Sequence, residues 1–128
     1  MGAYPDNRVT RTEFRINTMQ LYSLSPDFTA ASQITPDALP EIVQQGFRSI
    51  ICMRPDAEEY GQPTAESLKD AAVAAGLQFA FLPVVPGHIT EHEVTQMRAA
   101  LKEMDGPILG YCRSGNRVGQ LWTLARQA

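Results

Sequence analysis

Long apolar runs, excess charge and cysteine are all scarce in this chain, and each shortage excludes something. No stretch approaches the roughly 18 consecutive apolar residues that a membrane-crossing helix needs. The opening, MGAYPDNRVTRTEF, lacks the apolar block of an export signal. It begins Met-Gly, but Asp6 stands where a myristoylation signal carries Ser or Thr. Basic residues are not in excess: 11 Lys and Arg face 14 Asp and Glu, for a net charge of −3. That balance argues against nucleic acid or an anionic membrane as partner. Cys52 and Cys112 are too few for a disulfide scaffold, so reduced thiols and a cytoplasmic setting are expected. There is no glycine-rich dinucleotide fingerprint, no Walker loop, no internal repeat and no low-complexity tract, and no cofactor is expected. What is present, in 128 residues, is 44% hydrophobic and 20% charged, the composition of one soluble globular domain.

Residues 1–19 read as an N-terminal extension outside the core, polar and without periodicity up to Met19, which is an alternative start. The domain proper is 20–128. Leu21, Tyr22 and Leu24 precede a Ser25-Pro26-Asp27 turn and Phe28-Thr-Ala-Ala, a hairpin pattern. Thr35-Pro36-Asp37 opens a helix expected to run to about Gln45 and to stop at Gly46. Phe47 to Met53 reads as a buried strand, Arg54 to Gln62 as a polar loop, and Pro63 to Ala75 as a helix ending at Gly76. Leu77 to Pro83 is the next strand, followed by the loop Val84 to Ile89. Thr90 to Glu93 forms a capping box, and Val94, Met97, Leu101 and Met104 supply the apolar stripe of the helix behind it. A strand from Ile108 to Cys112 leads through 113–117 into a last helix carrying Leu121, Trp122 and Leu124. Strands alternating with helices predict an α/β fold, a mostly parallel central sheet flanked by helices on both faces. Ligands of such sheets bind beyond the carboxyl ends of the strands, which singles out loops 54–62, 84–89 and 113–117.

The sharpest signal is Cys112-Arg113-Ser114-Gly115-Asn116-Arg117. A cysteine ending a buried strand, followed by a glycine turn and a helix, has backbone N–H groups and a helix N-terminus aimed above its sulfur. Sites of this kind lower a thiol from about 8.5 to roughly 3.5–7.5. A thiolate backed by Arg117 suits a nucleophile for an anionic substrate. A lone strand cysteine is more often a small buried apolar residue, but a purely structural turn needs neither arginine.

These six residues resemble the Cys-x4-Arg active-site loop of rhodanese-type sulfurtransferases. The rest of the domain is similar to another family, through Ser25-Pro-Asp-Phe, Ile34-Thr-Pro, Gly46-Phe-Arg, Arg54-Pro-Asp56, Pro83-Val-Val-Pro-Gly87 and Ile89-Thr90. That family is the phosphatase-like domain of beta-lactamase hydrolase-like proteins, and the resemblance implies the fold of protein tyrosine and dual-specificity phosphatases. Phosphatases of that fold carry Cys-x5-Arg, with His before the cysteine and Ser or Thr after the arginine. Here Tyr111 precedes, Val118 follows, and the loop is one residue shorter. Their general-acid Asp falls in the loop equivalent to 84–89, which here contains no carboxylate. Losing such an acid costs about 10²–10⁴-fold, whereas sulfite or a thiolate leaves without one. The expected function is therefore a cofactor-free sulfurtransferase. Cys112 takes sulfane sulfur from thiosulfate or a small persulfide, Arg117 and Arg113 position the donor, and Ser114, Gly115 and Asn116 help hold it. An acceptor thiol then removes the sulfur. The resemblance implies a setting in sulfide detoxification beside a persulfide dioxygenase. The alternatives are a phosphomonoesterase acting through a Cys112 phosphocysteine and an inactive anion-binding module.

His88 and His92 are four apart but have no third ligand nearby, so no metal is expected. His92 reads as a solvated first turn, and His88 as a substrate contact overhanging the cysteine. Arg54 and Asp56 are second-layer candidates, Arg54 adding positive field and Asp56 orienting Arg113 or Arg117; the plainer reading is a surface ion pair. Cys52, at the end of a neighbouring strand, is either a buried apolar residue or a resolving thiol for Cys112. Glu58 and Glu59 read as solvated charge.

Overall fold

The computed structural model describes residues 13–16 and 19–127. The elements are β1 (Glu13–Ile16), β2 (Met19–Ser25), β3 (Phe28–Ala31), α1 (Leu39–Gln44), β4 (Ser49–Cys52), α2 (Ala65–Ala74), β5 (Gln78–Phe81), α3 (Glu91–Glu103), β6 (Ile108–Tyr111) and α4 (Asn116–Arg126). They form a six-stranded sheet of order β1-β2-β3-β6-β4-β5. β3, β6, β4 and β5 are mutually parallel along that order, and β1 and β2 add an antiparallel edge. This is the expected α/β architecture.

The chain leaves β3, passes α1, builds β4 and β5 outward, then returns through α3 to insert β6 between β3 and β4. Strand β6 is therefore central, and its carboxyl end opens at a change in strand order, where α/β sheets bind ligands. Strand alternation divides the core. Leu21, Ala31, Ile50, Cys52, Leu109 and Tyr111 pack with α1 and α2 on one face. Phe28, Ala30, Ile51, Met53, Ile108 and Cys112 pack with α3 and α4 on the other. Gly110 lets α4 lie close on β6, because a Cβ there would stand 3.0 Å from the Phe28 ring and 3.1 Å from Val118 Cγ1.

Local chemistry explains the boundaries. Thr64 caps α2 by accepting the Ser67 N–H at 3.1 Å. The Glu93 carboxylate accepts the Thr90 N–H at 2.7 Å at the start of α3, as the capping box predicts. The helix expected from Thr35 to Gln45 is divided: Pro36–Ala38 is a 3₁₀ turn and α1 begins at Leu39, because Pro40 has no N–H and restarts the helix near its own first turn. The extension also needs correction. Residues 13–16 form the edge strand β1, pairing Glu13 with Tyr22 and Ile16 with Met19, and Met19 is core, 2% exposed. Residues 1–12 and 17–18 lie outside the described residues.

Candidate active site

Cys112 lies one residue beyond β6 and is held there by backbone. Its N–H donates to Ala31 O, and the Arg113 carbonyl accepts from Gln33 N, so the end of β3 fixes the start of the loop. The sulfur is fully buried at the base of the turn and accepts the Gly115 N–H at 3.1 Å. That bond requires the sharp return made by Gly115, whose φ of 98° is left-handed and which is the N-cap of α4. Having no side chain, Gly115 itself supplies no side-chain cap to α4. The Ser114 hydroxyl accepts the Asn116 N–H at 3.3 Å and tightens the turn. Ser114 and Asn116 are exposed, and Arg113 reaches outward with 68% of its side chain in solvent.

Arg117, on the first turn of α4, is 8% exposed and points back beneath the loop. Its Nη1 donates to Glu58 Oε2 at 2.7 Å and to Val84 O at 2.9 Å, and its Nη2 donates to Glu58 Oε1 at 3.0 Å. The Glu58 hydrogen bond, and after it the nearby Cys112 sulfur, favour the charged guanidinium. Reciprocally, Arg117 and then Arg54 hold the Glu58 carboxyl below the ordinary carboxylate range. The loop after β5 brings Val84 within reach because Leu82 N bonds Cys52 O and Val84 N bonds Met53 O. Two openings meet over the loop. One, about 470 Å³, is bounded by Pro86, Gly87, Arg113, Ser114, Arg117 and Gln120, and another, about 350 Å³, by Arg54, Glu58, Glu59 and Pro86 with the same two arginines.

The structure thus brings together Cys112, Arg113, Ser114, Gly115, Asn116 and Arg117, and separates others from them. Arg54 is 3% exposed and its field is spent locally, on Glu58 at 3.0 Å, Gln33 at 3.0 Å and Glu59 at 3.0 Å. Asp56 does not orient either arginine; its carboxylate accepts the Ala65 N–H at 2.8 Å and stabilises the start of α2. His88 is exposed, and Pro86 and Gly87 bound the openings in its place, because the loop turns with Gly87 at φ 76° and the His88 N–H donates back to Val85 O.

Cys52 is not placed as a resolving thiol. It pairs in register with Tyr111, so it shares the Tyr111 face, and Cys112 faces the opposite one. Burial raises the Cys52 thiol above its ordinary range, and the thiol donates to Arg54 O at 3.4 Å. The adjacent Tyr111 hydroxyl is buried without a hydrogen-bond partner. Glu58, read from sequence as solvated charge, is the residue that was missed. It meets Arg117 across 59 positions, a pairing that no local pattern displays. The one local sign is Ala57 beside it, held at a left-handed φ of 63°. Among the described residues, no three His, Cys, Asp or Glu side chains cluster as a metal site, and no helix is long and apolar enough to cross a membrane.

Known proteins resemble this chain in sequence and in fold. Residues 20–128 match the family described as "Beta-lactamase hydrolase-like protein, phosphatase-like domain". The beta-lactamase hydrolase-like protein of Agrobacterium fabrum is 37% identical over 106 residues, 83% of this chain and 25% of that protein. The chain therefore spans about a quarter of the curated relatives it matches. A candidate phosphatase of Neisseria meningitidis Z2491 is 35% identical with a TM-score of 0.73, over 78% of this chain and 71% of the other. The core catalytic domain of a PP-IP phosphatase from S. cerevisiae shares the fold at 22% identity, with a TM-score of 0.62 over 79% of this chain and 60% of the other. The matched family is phosphatase-like and the structural neighbours are described as phosphatases, and nothing among them indicates the sulfur transfer expected first from the short loop; the phosphatase alternative is the better supported. The chain belongs to the phosphatase-like domain family of the beta-lactamase hydrolase-like proteins.

Proposed function

We propose that this domain is a cysteine-dependent phosphatase in which Cys112 attacks phosphorus and carries the phosphoryl group as a phosphocysteine. One observation carries the reading. The Cys112 sulfur receives the Gly115 N–H at the N-terminus of α4, with the Arg117 guanidinium secured beside it. Donors arranged in this way stabilise charge on a tetrahedral oxyanion without reorganising. The sulfur forms the P–S bond as the P–O bond to the leaving group breaks, and water then cleaves P–S and regenerates the thiolate.

Protonation of the leaving group is the restricted step. The loop after β5 carries no carboxylate, and the carboxylates at the opening, Glu58 and Glu59, are bonded to arginines. Substrates whose leaving group departs as a stable anion are favoured, such as activated aryl esters or phosphoanhydrides. A series of aryl phosphates of graded phenol acidity tests this. The rate should fall steeply as the phenol becomes a weaker acid. A flat dependence would mean that an acid is present.

A second reading rests on the four residues between Cys112 and Arg117, one fewer than the phosphatase pattern. The smaller ring suits a terminal sulfur, with thiosulfate or a small persulfide as donor and a thiol as acceptor. Thiosulfate-dependent thiocyanate formation from cyanide, without aryl phosphate turnover, would establish it in place of the first. A persulfide dioxygenase partner belongs to this reading alone.

A further inference from the structure

A groove of about 990 Å³ runs beside the cysteine loop, walled by Tyr22 and Leu24 of β2, Ile89 in the loop after β5, and Trp122 and Leu124 of α4. Among the described residues, none that lines it carries a charge. It continues into the 470 Å³ opening bounded by Arg113 and Arg117, because Ser114, Asn116 and Gln120 line both spaces. A cationic opening therefore leads directly into an uncharged, mostly apolar one.

Gly119 points to an occupant. It lies inside α4 in ordinary helical conformation and lines the groove. Glycine is the least favourable helix residue after proline, and packing does not demand it here. Beyond its chain neighbours and its own helix backbone, a Cβ at Gly119 would meet no heavy atom of the described residues within 4 Å. Gly110 is the contrast, since a Cβ there would stand 3.0 Å from the Phe28 ring. The missing side chain at Gly119 leaves the α4 backbone bare for a flat group to lie against.

We propose that this groove is the leaving-group subsite, and that the substrate is the phosphate monoester of an uncharged phenol larger than one ring. The proposal rests on the phosphatase reading and deepens it by naming the substrate class. The phosphoryl group sits against the 113–117 loop, and the aryl body turns past Ser114 and Gln120 into the groove. Its volume is at the upper end of the roughly 300–1,000 Å³ of small-molecule sites, so a single phenyl ring leaves most of it empty. A charged or peptide body would lose its hydration there with no ion to pair it.

Binding is read apart from turnover in Cys112→Ser, titrated calorimetrically with phenyl phosphate, biphenyl-4-yl phosphate and a phosphotyrosine peptide. Biphenyl-4-yl phosphate should bind at least about 10-fold more tightly than phenyl phosphate, from the apolar area its second ring buries. Gly119→Leu in that background fills the groove and should abolish the difference, while its denaturation midpoint does not fall, because leucine favours the helix. Leu124→Asp, a change at a 37% exposed position, is the second variant and should shrink the gain by placing a charge in the groove. In the parent chain, biphenyl-4-yl phosphate should turn over with the lower KM of the two esters. Equal binding of the two esters, including none of either, would overturn the proposal, as would a gain that survives both variants. A phosphotyrosine peptide that binds more tightly than biphenyl-4-yl phosphate, and loses that advantage in Gly119→Leu, would overturn it in favour of a peptide occupant. A gain that both variants remove, in a parent chain that turns over neither ester, would leave the groove standing and remove the phosphatase reading.

Discussion

Cys52 and Cys112 stand near the carboxyl ends of adjacent parallel strands, both buried, in the same small domain. Their surroundings have almost nothing in common. Cys52 closes β4 opposite Tyr111, faces the α1–α2 layer, donates to a carbonyl and is pushed up by burial. Cys112 comes one residue later along the sheet, faces the α3–α4 layer and accepts an N–H from the turn that follows it. The difference teaches that the chemistry belongs less to the cysteine than to the five residues after it. In the proposed function, a glycine able to take a left-handed turn and an arginine on the first helical turn convert a buried thiol position into an oxyanion site.

The comparison breaks most sharply by exchanging the two thiols' roles. Cys112→Ser should lower kcat/KM for an aryl phosphate by at least about 10³-fold, because a serine hydroxyl is barely ionised at neutral pH. Cys52→Ala should retain turnover within a few-fold and cost about 1 kcal/mol of stability, the loss of a small buried group. Comparable losses of activity in the two variants would dissolve the distinction. A smaller effect should come from the strand that carries Cys112. Gly110→Ala places a methyl against Phe28 and Val118, and overpacking of this kind costs about 1–3 kcal/mol. Its denaturation midpoint should fall, with the loop less well set above it.

The smallest effects are in the pH dependence of stability. Folding raises the Cys52 thiol, so its contribution is present below the unfolded value of about 8.5 and is lost as pH rises through the raised folded value. Folding lowers the Glu58 carboxyl, so its contribution is present above about 4.3 and is lost as pH falls through the lowered folded value. Melting temperatures across pH should therefore decline at both ends. Cys52→Ala should flatten the alkaline limb and Glu58→Gln the acid limb. Unchanged limbs would show that other groups set them.

The α/β order, the capping box at Thr90 and the Cys112 loop were legible because each is a local pattern. Side-chain period, cap residues and glycine placement act over a few positions, and the structure keeps them at Thr90 and Gly115. What escaped was non-local. Residues 13–16, Glu-Phe-Arg-Ile, alternate charged and apolar over only four positions, too short a run to stand out, and they join the sheet by backbone pairing with β2. The opposed faces of Cys52 and Cys112 depend on a register between β4 and β6, strands with α2, β5 and α3 between them. Glu58 looked like one of two exposed acids, and its value comes only from Arg117 arriving beside it at the end of the chain. Asp56 and His88 were singled out for lying in the right loops. Loop membership does not determine side-chain direction, and one caps α2 while the other faces solvent.

The most direct test of the central claim is intact-mass analysis of the chain, acid-quenched during turnover of an aryl phosphate, with fragmentation to locate any adduct. The account predicts one added phosphoryl group on Cys112, none on Cys52, and none anywhere in Cys112→Ser. A parent chain that carries no phosphoryl group but gains a single sulfur on Cys112 from thiosulfate would contradict it.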